Sequence, residues 1–282
     1  MTVYFAYINL EKDLERKEFM ESQFKKLSIT AHRIPARGPK GEKMDKVNGI
    51  DSRFNLKGDL TALDDGPPER KFELGLLCSH MEALRQFVKS GKQYGVILED
   101  DAVLPEQQIN CQKIVENAPP GAETISLFSF PRNPQSIKDM KIANQNNRPF
   151  IKWTQYLFSS IAYIITRNGA IRCLKSCGAS EPGRILCFNS YPVCDHLIYN
   201  NTTTYVLSCP IVFPNDNVES TIHASHDDIN REYTNLQKQK IPCQIIKSFT
   251  QKSNLLFSSV GDNTSAPEKW RSPSASYDII QA

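Results

Sequence analysis

YGVILEDD, residues 94–101, is the stretch on which the fold class turns. Its apolar run leads straight into Glu99, Asp100 and Asp101. A short run that is apolar at nearly every position reads as a strand covered on both faces, as in parallel sheets. Three adjacent carboxylates repel one another and lose hydration on burial, so a strand that ends in them points to a cation or a metal-bound polyphosphate. In open parallel sheets, ligands sit in the crevice beyond the carboxyl ends of the strands, where these acids fall. Side chains alternate along a strand, which predicts Glu99 and Asp101 on one side, able to share a metal, and Asp100 on the other. A solvated acidic turn is the alternative reading of the octamer alone.

Working outward, Leu74, Leu77, Met81, Leu84 and Val88 recur at helical spacing before the octamer, with Gly91 just past the end. Residues 3–10 predict a buried strand, and residues 11–27 an amphipathic helix with Leu14, Met20, Phe24 and Leu27 on its apolar face. Residues 29–34 predict a strand stopped by Pro35, and the Gly/Pro-rich residues 38–70 an irregular loop of the kind that forms lids. Downstream, residues 123–130, 161–166 and 203–212 predict strands, and 168–177 and 193–199 helices. Residues 133–149 read as polar, basic and turn-rich. The alternation gives an α/β fold with a mixed, mostly parallel sheet flanked by helices. One catalytic domain is expected over residues 1–260, followed by a poorly ordered Ser/Pro/Asn-rich tail over 261–282.

A formal charge of +3 on 282 residues is too small and too dispersed to argue for nucleic acid. A pI near 8.3 and a basic, apolar-dotted C-terminal half allow peripheral contact with an anionic membrane. No apolar run approaches the roughly 20 residues that span a bilayer, and the N-terminus lacks signal-peptide features, so a cytoplasmic location is expected. The eight cysteines show no paired CxxC set and read as core residues in a reducing compartment.

Seven blocks, in order and spacing, carry a resemblance. They are INLEKDLERKE (8–18), RIPA (33–36), ELGLLCSHMEAL (73–84), YGVILEDDAVL (94–104), YIITRNGA (163–170), PVCDHLIY (192–199) and ESTI (219–222). Over residues 3–222 the chain resembles the glycosyltransferases of family 25, which include bacterial lipooligosaccharide galactosyltransferases and collagen hydroxylysine galactosyltransferases. The resemblance implies a GT-A-like nucleotide-diphosphosugar fold, a UDP-sugar donor and transfer with inversion. It also implies a glycan, lipid-linked glycan or protein hydroxyl as acceptor, with galactose the commonest sugar. Two departures bear on the acceptor: RIPA continues as RGPKGEK, and Cys194 interrupts a tighter Pro-Val-Asp spacing.

The site residues follow from both readings. Asp101 is the expected ligand of Mn²⁺ or Mg²⁺, with Glu99 contacting metal or ribose and Asp100 anchoring the loop or orienting a ligand. Asn9 and Leu10 end the first strand where the resemblance places the nucleotide, and Arg16 reaches either a phosphate or a nearby acid. A helix entered at residues 73–75 would offer free backbone N–H groups to the donor, with Gly75 permitting close approach and Ser79 and His80 one turn on. Asp195 is the expected base for the acceptor hydroxyl or, alternatively, the N-cap of its helix. His196 orients Asp195 or the acceptor, or packs. His223, in the polar cluster after ESTI, is a further metal-ligand candidate. Two other functions use the same residues: a metal-dependent phosphohydrolase and a catalytically silent sugar-nucleotide binding module.

Overall fold

In a computed structural model of the chain, the structure describes residues 3–36, 55–56, 69–107, 109–180, 184–185, 193–215 and 244–250. The elements in the first half are β1 (Val3–Leu10), α1 (Leu14–Leu27), β2 (Ala31–Ala36), β3 (Asn55–Leu56), α2 (Glu69–Lys89), β4 (Tyr94–Glu99), β5 (Ala102–Val103) and α3 (Cys111–Asn117). The second half holds β6 (Thr124–Ser126), β7 (Phe130–Pro131), α4 (Pro134–Gln145), β8 (Phe150–Lys152), β9 (Leu157–Phe158), β10 (Ala162–Thr166) and α5 (Arg167–Ser176). It closes with β11 (Arg184–Ile185), α6 (Cys194–Asn200), β12 (Thr204–Leu207), β13 (Phe213–Pro214) and α7 (Gln244–Ser248).

Seven strands form the central sheet in the order β2-β1-β4-β10-β6-β12-β8. β2, β1, β4, β6 and β12 run one way, while β10 and β8 run the other. The carboxyl ends of β1, β4 and β6 therefore lie at one edge of the sheet with the entrance to β10. Alternation along each strand divides the core between two faces. Tyr7, Val96, Leu98, Ala162 and Ile164 pack with Met20, Phe24 and Leu27 of α1 and with Ile114 and Val115 of α3. Tyr4, Ala6, Ile8, Ile97, Tyr163 and Ile165 pack on the other face against α2, α5 and α6. The expected mixed α/β sheet with flanking helices is what the chain forms.

The differences from expectation have local causes. β2 runs through Pro35, which pairs with Asn9, because β2 is an edge strand and can spare one N–H. Leu14 is 59% exposed instead of buried, so the apolar face of α1 begins at Met20. The expected strand over 123–130 breaks after Ser126, whose hydroxyl donates to the Phe128 carbonyl at 2.5 Å, and resumes as β7. The polar stretch from 133 contains α4, opened by Asn133, which accepts from Ser136 N at 2.7 Å, with Pro134 in the first turn. Its buried face is only Ser136, Met140 and Ala143, too thin to show as amphipathicity. The strand expected over 203–212 stops at Leu207, shortly before Pro210, which has no N–H to give a ladder.

Of the loop expected over 38–70, Asn55 and Leu56 pair with Arg184 and Ile185, and Glu69 and Arg70 already belong to α2. The rest of that loop, the tail over 261–282, the ESTI block and Cys187 and Cys243 lie outside the described residues. Cys78, Cys111, Cys173, Cys177, Cys194 and Cys209 are buried and unbridged, as a core role requires.

Gly95 shows how tightly α2 sits on β4. A Cβ there would lie 2.9 Å from Cδ1 and Cγ of Phe87, whose ring is fully buried. Overpacking at such a contact costs about 1–3 kcal/mol. Gly95→Ala is therefore expected to lower unfolding stability by about that amount, with part regained in Gly95→Ala/Phe87→Leu. Urea denaturation checks this, and an unchanged midpoint for the single variant would contradict it.

Candidate active site

β4 ends at Glu99, and the chain turns through Asp100 and Asp101 into β5. The turn is pinned from outside: β5 pairs with β13, and the Asn215 N–H donates to the Asp101 carbonyl at 2.8 Å. Strand alternation ends with the strand, so each of the three acids has its own surroundings and Asp100 and Asp101 take positions set by the turn.

Asp100 is held by the end of β1 and the start of α1. Asn9 Nδ2 donates to its Oδ2 at 2.8 Å, and Arg16 Nη1 to its Oδ1 at 2.9 Å. Asn9 is itself fixed by Arg33, whose Nε donates to Asn9 Oδ1 at 2.9 Å and whose Nη2 donates to the Leu10 carbonyl at 3.3 Å. Burial pushes the Asp100 carboxyl up, Asn9 and Arg16 draw it down, and neighbouring Glu99 raises it again; the net direction is upward. Of the two partners expected for Arg16, a phosphate or an acid, the geometry supplies Asp100.

Glu99 meets different partners. Ser160 Oγ donates to its Oε1 at 2.6 Å, and His80 Nε2 lies 3.4 Å from the same oxygen. Burial pushes this carboxyl up too, but the nearby His80, the Ser160 hydroxyl and Arg16 outweigh it and leave the pKa below the usual value.

Asp101 has less relief. Its Oδ1 is enclosed and makes no hydrogen bond among the described residues. Burial, then the charges of Glu99 and Asp100, push its pKa from 3.8 up to about 7, with Arg16 and a backbone N–H opposing. The turn thus holds one carboxylate with a lowered pKa, one screened by a guanidinium, and one with an oxygen that no described residue engages.

Across the mouth of β10 lies Asp195, 5% exposed. Its Oδ2 accepts from Ser159 N at 2.7 Å and its Oδ1 from His196 N at 2.8 Å. Burial raises its pKa, and these two N–H groups and the nearby His196 only partly offset that. The helix cap is Val193, with no side-chain capping bond, so Asp195 is not the N-cap of α6. Ser159 has φ 131, a strained conformation for a residue with a Cβ, and Tyr199 Oη holds its carbonyl at 2.8 Å. Ser159 and Ser160 therefore tie Asp195 to Glu99 across the crevice. Sequence reasoning missed both serines, since nothing in a Ser-Ser pair before a strand marks it, and it gave Arg33 no role. His196 Nε2 is likewise enclosed without a hydrogen-bond partner, its ring 4.8 Å from Phe158 and 5.6 Å from Trp153.

The remaining expected residues are placed as follows. α2 begins at Glu69, so the N–H groups of residues 73–75 lie inside the helix and are not free to meet a donor. Ser79 is buried and donates to the Gly75 carbonyl at 2.7 Å, within the helix. His80 is fully buried and reaches the site only through Glu99. Leu10 contributes its carbonyl to Arg33. His223 lies outside the described residues.

No group of three His, Cys, Asp or Glu side chains among the described residues is gathered closely enough to hold a metal ion by itself. A hard cation of the Mg²⁺ type does not need such a cage, because it binds through one or two carboxylates and completes its shell with phosphate oxygens and water. Asp101 fits that donor set, with an all-oxygen ligand and an atom left unengaged.

Residues 3–179 match the family described as glycosyltransferase family 25 (LPS biosynthesis protein). The chain belongs to glycosyltransferase family 25. As a family 25 protein it is a transferase that takes a sugar donor and a glycan acceptor in the general sense. Comparison with the curated proteins returned no match. Among solved structures, the chain is similar to a glycosyltransferase involved in the glycosylation of the major capsid of PBCV-1, at 8% identity. That match covers 82% of this chain and 100% of the other with a TM-score of 0.32, a likeness too slight to carry an inference. Among the described residues, no helix is long and apolar enough to cross a membrane.

The raised pKa of Asp101 has a sign that can be checked. A carboxyl whose folded pKa lies above its unfolded value favours folding fully below about 3.8, and that contribution is lost as pH rises toward about 7. Asp101→Asn removes the penalty, so without divalent cations it is expected to stabilise the protein more at pH 8 than at pH 5.5, by about 1–2 kcal/mol. Denaturant titrations at the two pH values measure the difference. An equal effect at both would mean that Asp101 titrates normally.

Proposed function

We propose that the protein transfers a sugar, galactose first among the candidates, from a UDP-sugar to a hydroxyl of a glycan, with inversion at the anomeric carbon. The reaction depends on Mn²⁺ or Mg²⁺, and the fold is of the GT-A-like nucleotide-diphosphosugar type. The family's description favours a glycan of the lipopolysaccharide kind, with lipid-linked and protein hydroxyls the other acceptors of this chemistry. The observation that carries the reading is the enclosed, unpartnered Oδ1 of Asp101 at the carboxyl edge of the sheet. A buried carboxylate oxygen without a donor is costly, and a divalent cation relieves that cost.

Asp101 would hold the ion, with Glu99 close by, and the bound ion supplies Lewis-acid stabilisation of the charge that develops on the departing diphosphate. Asp100 takes no cation in this reading: Asn9 and Arg16 occupy both of its oxygens and so fix the turn that aims Asp101. Asp195 accepts the proton of the attacking hydroxyl. Each of its oxygens takes one backbone N–H, and a carboxylate oxygen has a second acceptor position for the incoming O–H. Its raised pKa moves it toward the range in which a general base works best near neutral pH. Next to Asp195 in sequence, His196 packs against Phe158 and Trp153, an aromatic cluster of the kind on which the apolar face of a sugar ring stacks.

A screen of UDP-sugars for transfer or hydrolysis, with and without Mn²⁺, tests the reading. Turnover of one UDP-sugar is expected only with the cation. Asp101→Asn and Asp195→Asn are each expected to lower kcat by about 10²–10⁴. Turnover indifferent to chelator and to Asp101→Asn would refute the assignment. Release of phosphate from simple phosphoesters, with sugar nucleotides ignored, would transfer it to the phosphohydrolase class.

A further inference from the structure

His80 and Tyr163 form a buried chain behind Glu99 that the site described above does not use. Both residues are fully buried. The Tyr163 hydroxyl lies 3.0 Å from His80 Nδ1, and the rings stack with centroids 5.7 Å apart. On its other side His80 presents Nε2, a buried atom whose closest ion-pair contact is Glu99 Oε1 at 3.4 Å, short of a well-formed hydrogen bond.

These contacts limit where the protons can sit. An ionised Glu99 accepts and cannot donate, so a ring nitrogen facing it must carry the hydrogen; a bare lone pair there would be repelled. A neutral imidazole protonated at Nε2 has Nδ1 as acceptor, and the hydrogen bond at one nitrogen sets the tautomer at the other. The group at Nδ1 is the Tyr163 phenol, which is the donor when the ring is neutral with its hydrogen on Nε2. Burial keeps that phenol protonated by raising its pKa well above the ordinary value. Ser160 and His80 both approach Oε1 of Glu99, and the Glu99 side chain keeps 22% of its surface. Oε2 is the oxygen left for a ligand.

We propose that Tyr163 is a positioning residue: by donating to His80 Nδ1 it fixes the Nε2–H tautomer, which with Ser160 holds Glu99 by one oxygen and presents the other to the donor. A catalytic hydrogen bond that is long without ligand and tightens in the complex is a common pattern, and the 3.4 Å separation of His80 from Glu99 fits it. The binding half of the test rests on the nucleotide reading above; the spectroscopic half does not.

¹⁵N NMR of histidine-labelled protein, with His80 assigned through His80→Gln, reads the tautomer in the unmodified chain. The expected result is a neutral ring with Nδ1 bare and Nε2 protonated, altered in Tyr163→Phe. An Nδ1–H or doubly protonated His80 in the wild type overturns the proposal and needs no folded variant to do so. Calorimetry with UDP and Mn²⁺ supplies the second measurement. Tyr163→Phe, which keeps the ring, is expected to weaken binding by about 10-fold, and His80→Leu by at least as much. His80→Gln, which restores an N–H toward Glu99, should stay within a few-fold of wild type. Wild-type affinity in a well-folded Tyr163→Phe also overturns it. If the wild type binds no UDP while the tautomer is as expected, the chain stands and the nucleotide reading falls.

Discussion

Three carboxylates in succession at the end of a buried strand are an electrostatic problem, and the surrounding structure is arranged around it. Burial opposes ionisation of all three; the Glu99 charge also raises Asp100, and Glu99 and Asp100 together raise Asp101. Asp100 is answered by a guanidinium and an amide from another part of the chain, so β1 and α1 must dock before the turn can be stable. Glu99 is answered by a hydroxyl and an imidazole from β10's entrance and from α2. Asp101 is answered least: Arg16 and a backbone N–H only partly offset its burial, and its Oδ1 has no hydrogen-bond partner among the described residues. That residual cost is the basis for proposing a cation there.

The fold serves this arrangement. The parallel run of β2, β1 and β4 brings Asn9, Leu10 and Glu99 to one edge, and the antiparallel insertion of β10 puts Ser159 and Ser160 beside them. Those two serines link the acidic turn to Asp195, whose oxygens are held by backbone N–H groups on either side. A bridge of two consecutive residues fixes the spacing between Glu99 and Asp195. The strained backbone at Ser159 indicates that this spacing is imposed by its neighbours.

Much of this was legible in the sequence where one residue type does one job. The apolar runs of β1, β4 and β10, and the helical spacing of Leu77, Met81 and Leu84 in α2, announce themselves because each strand is covered on both faces and those three side chains are fully buried. The acidic turn stood out because three carboxylates after an apolar run are unusual, and Asp195 because it lies in a block that carries the family resemblance. The rest depended on tertiary context. α4 buries three side chains and so looks polar, and Pro35 is harmless only because β2 lies at an edge. Strand alternation, from which Glu99 and Asp101 were expected to share a side, ends with β4 at Glu99, so the turn sets where Asp101 lies. The free N–H groups expected at residues 73–75 vanish because α2 starts at Glu69. Partners distant in sequence, such as Ser160 for Glu99 and Arg33 for Asn9, leave no local signal at all.

The central claim is that Asp101 is the protein's ligand for a divalent cation carrying a nucleoside diphosphate. The most direct measurement is a crystal structure of the protein with UDP and Mn²⁺, the ion located by its anomalous scattering. The account predicts manganese at bonding distance from Asp101 Oδ1 and coordinated by diphosphate oxygens, with Asp100 still held by Asn9 and Arg16. Manganese and diphosphate ordered elsewhere, with Asp101 Oδ1 untouched, would contradict it.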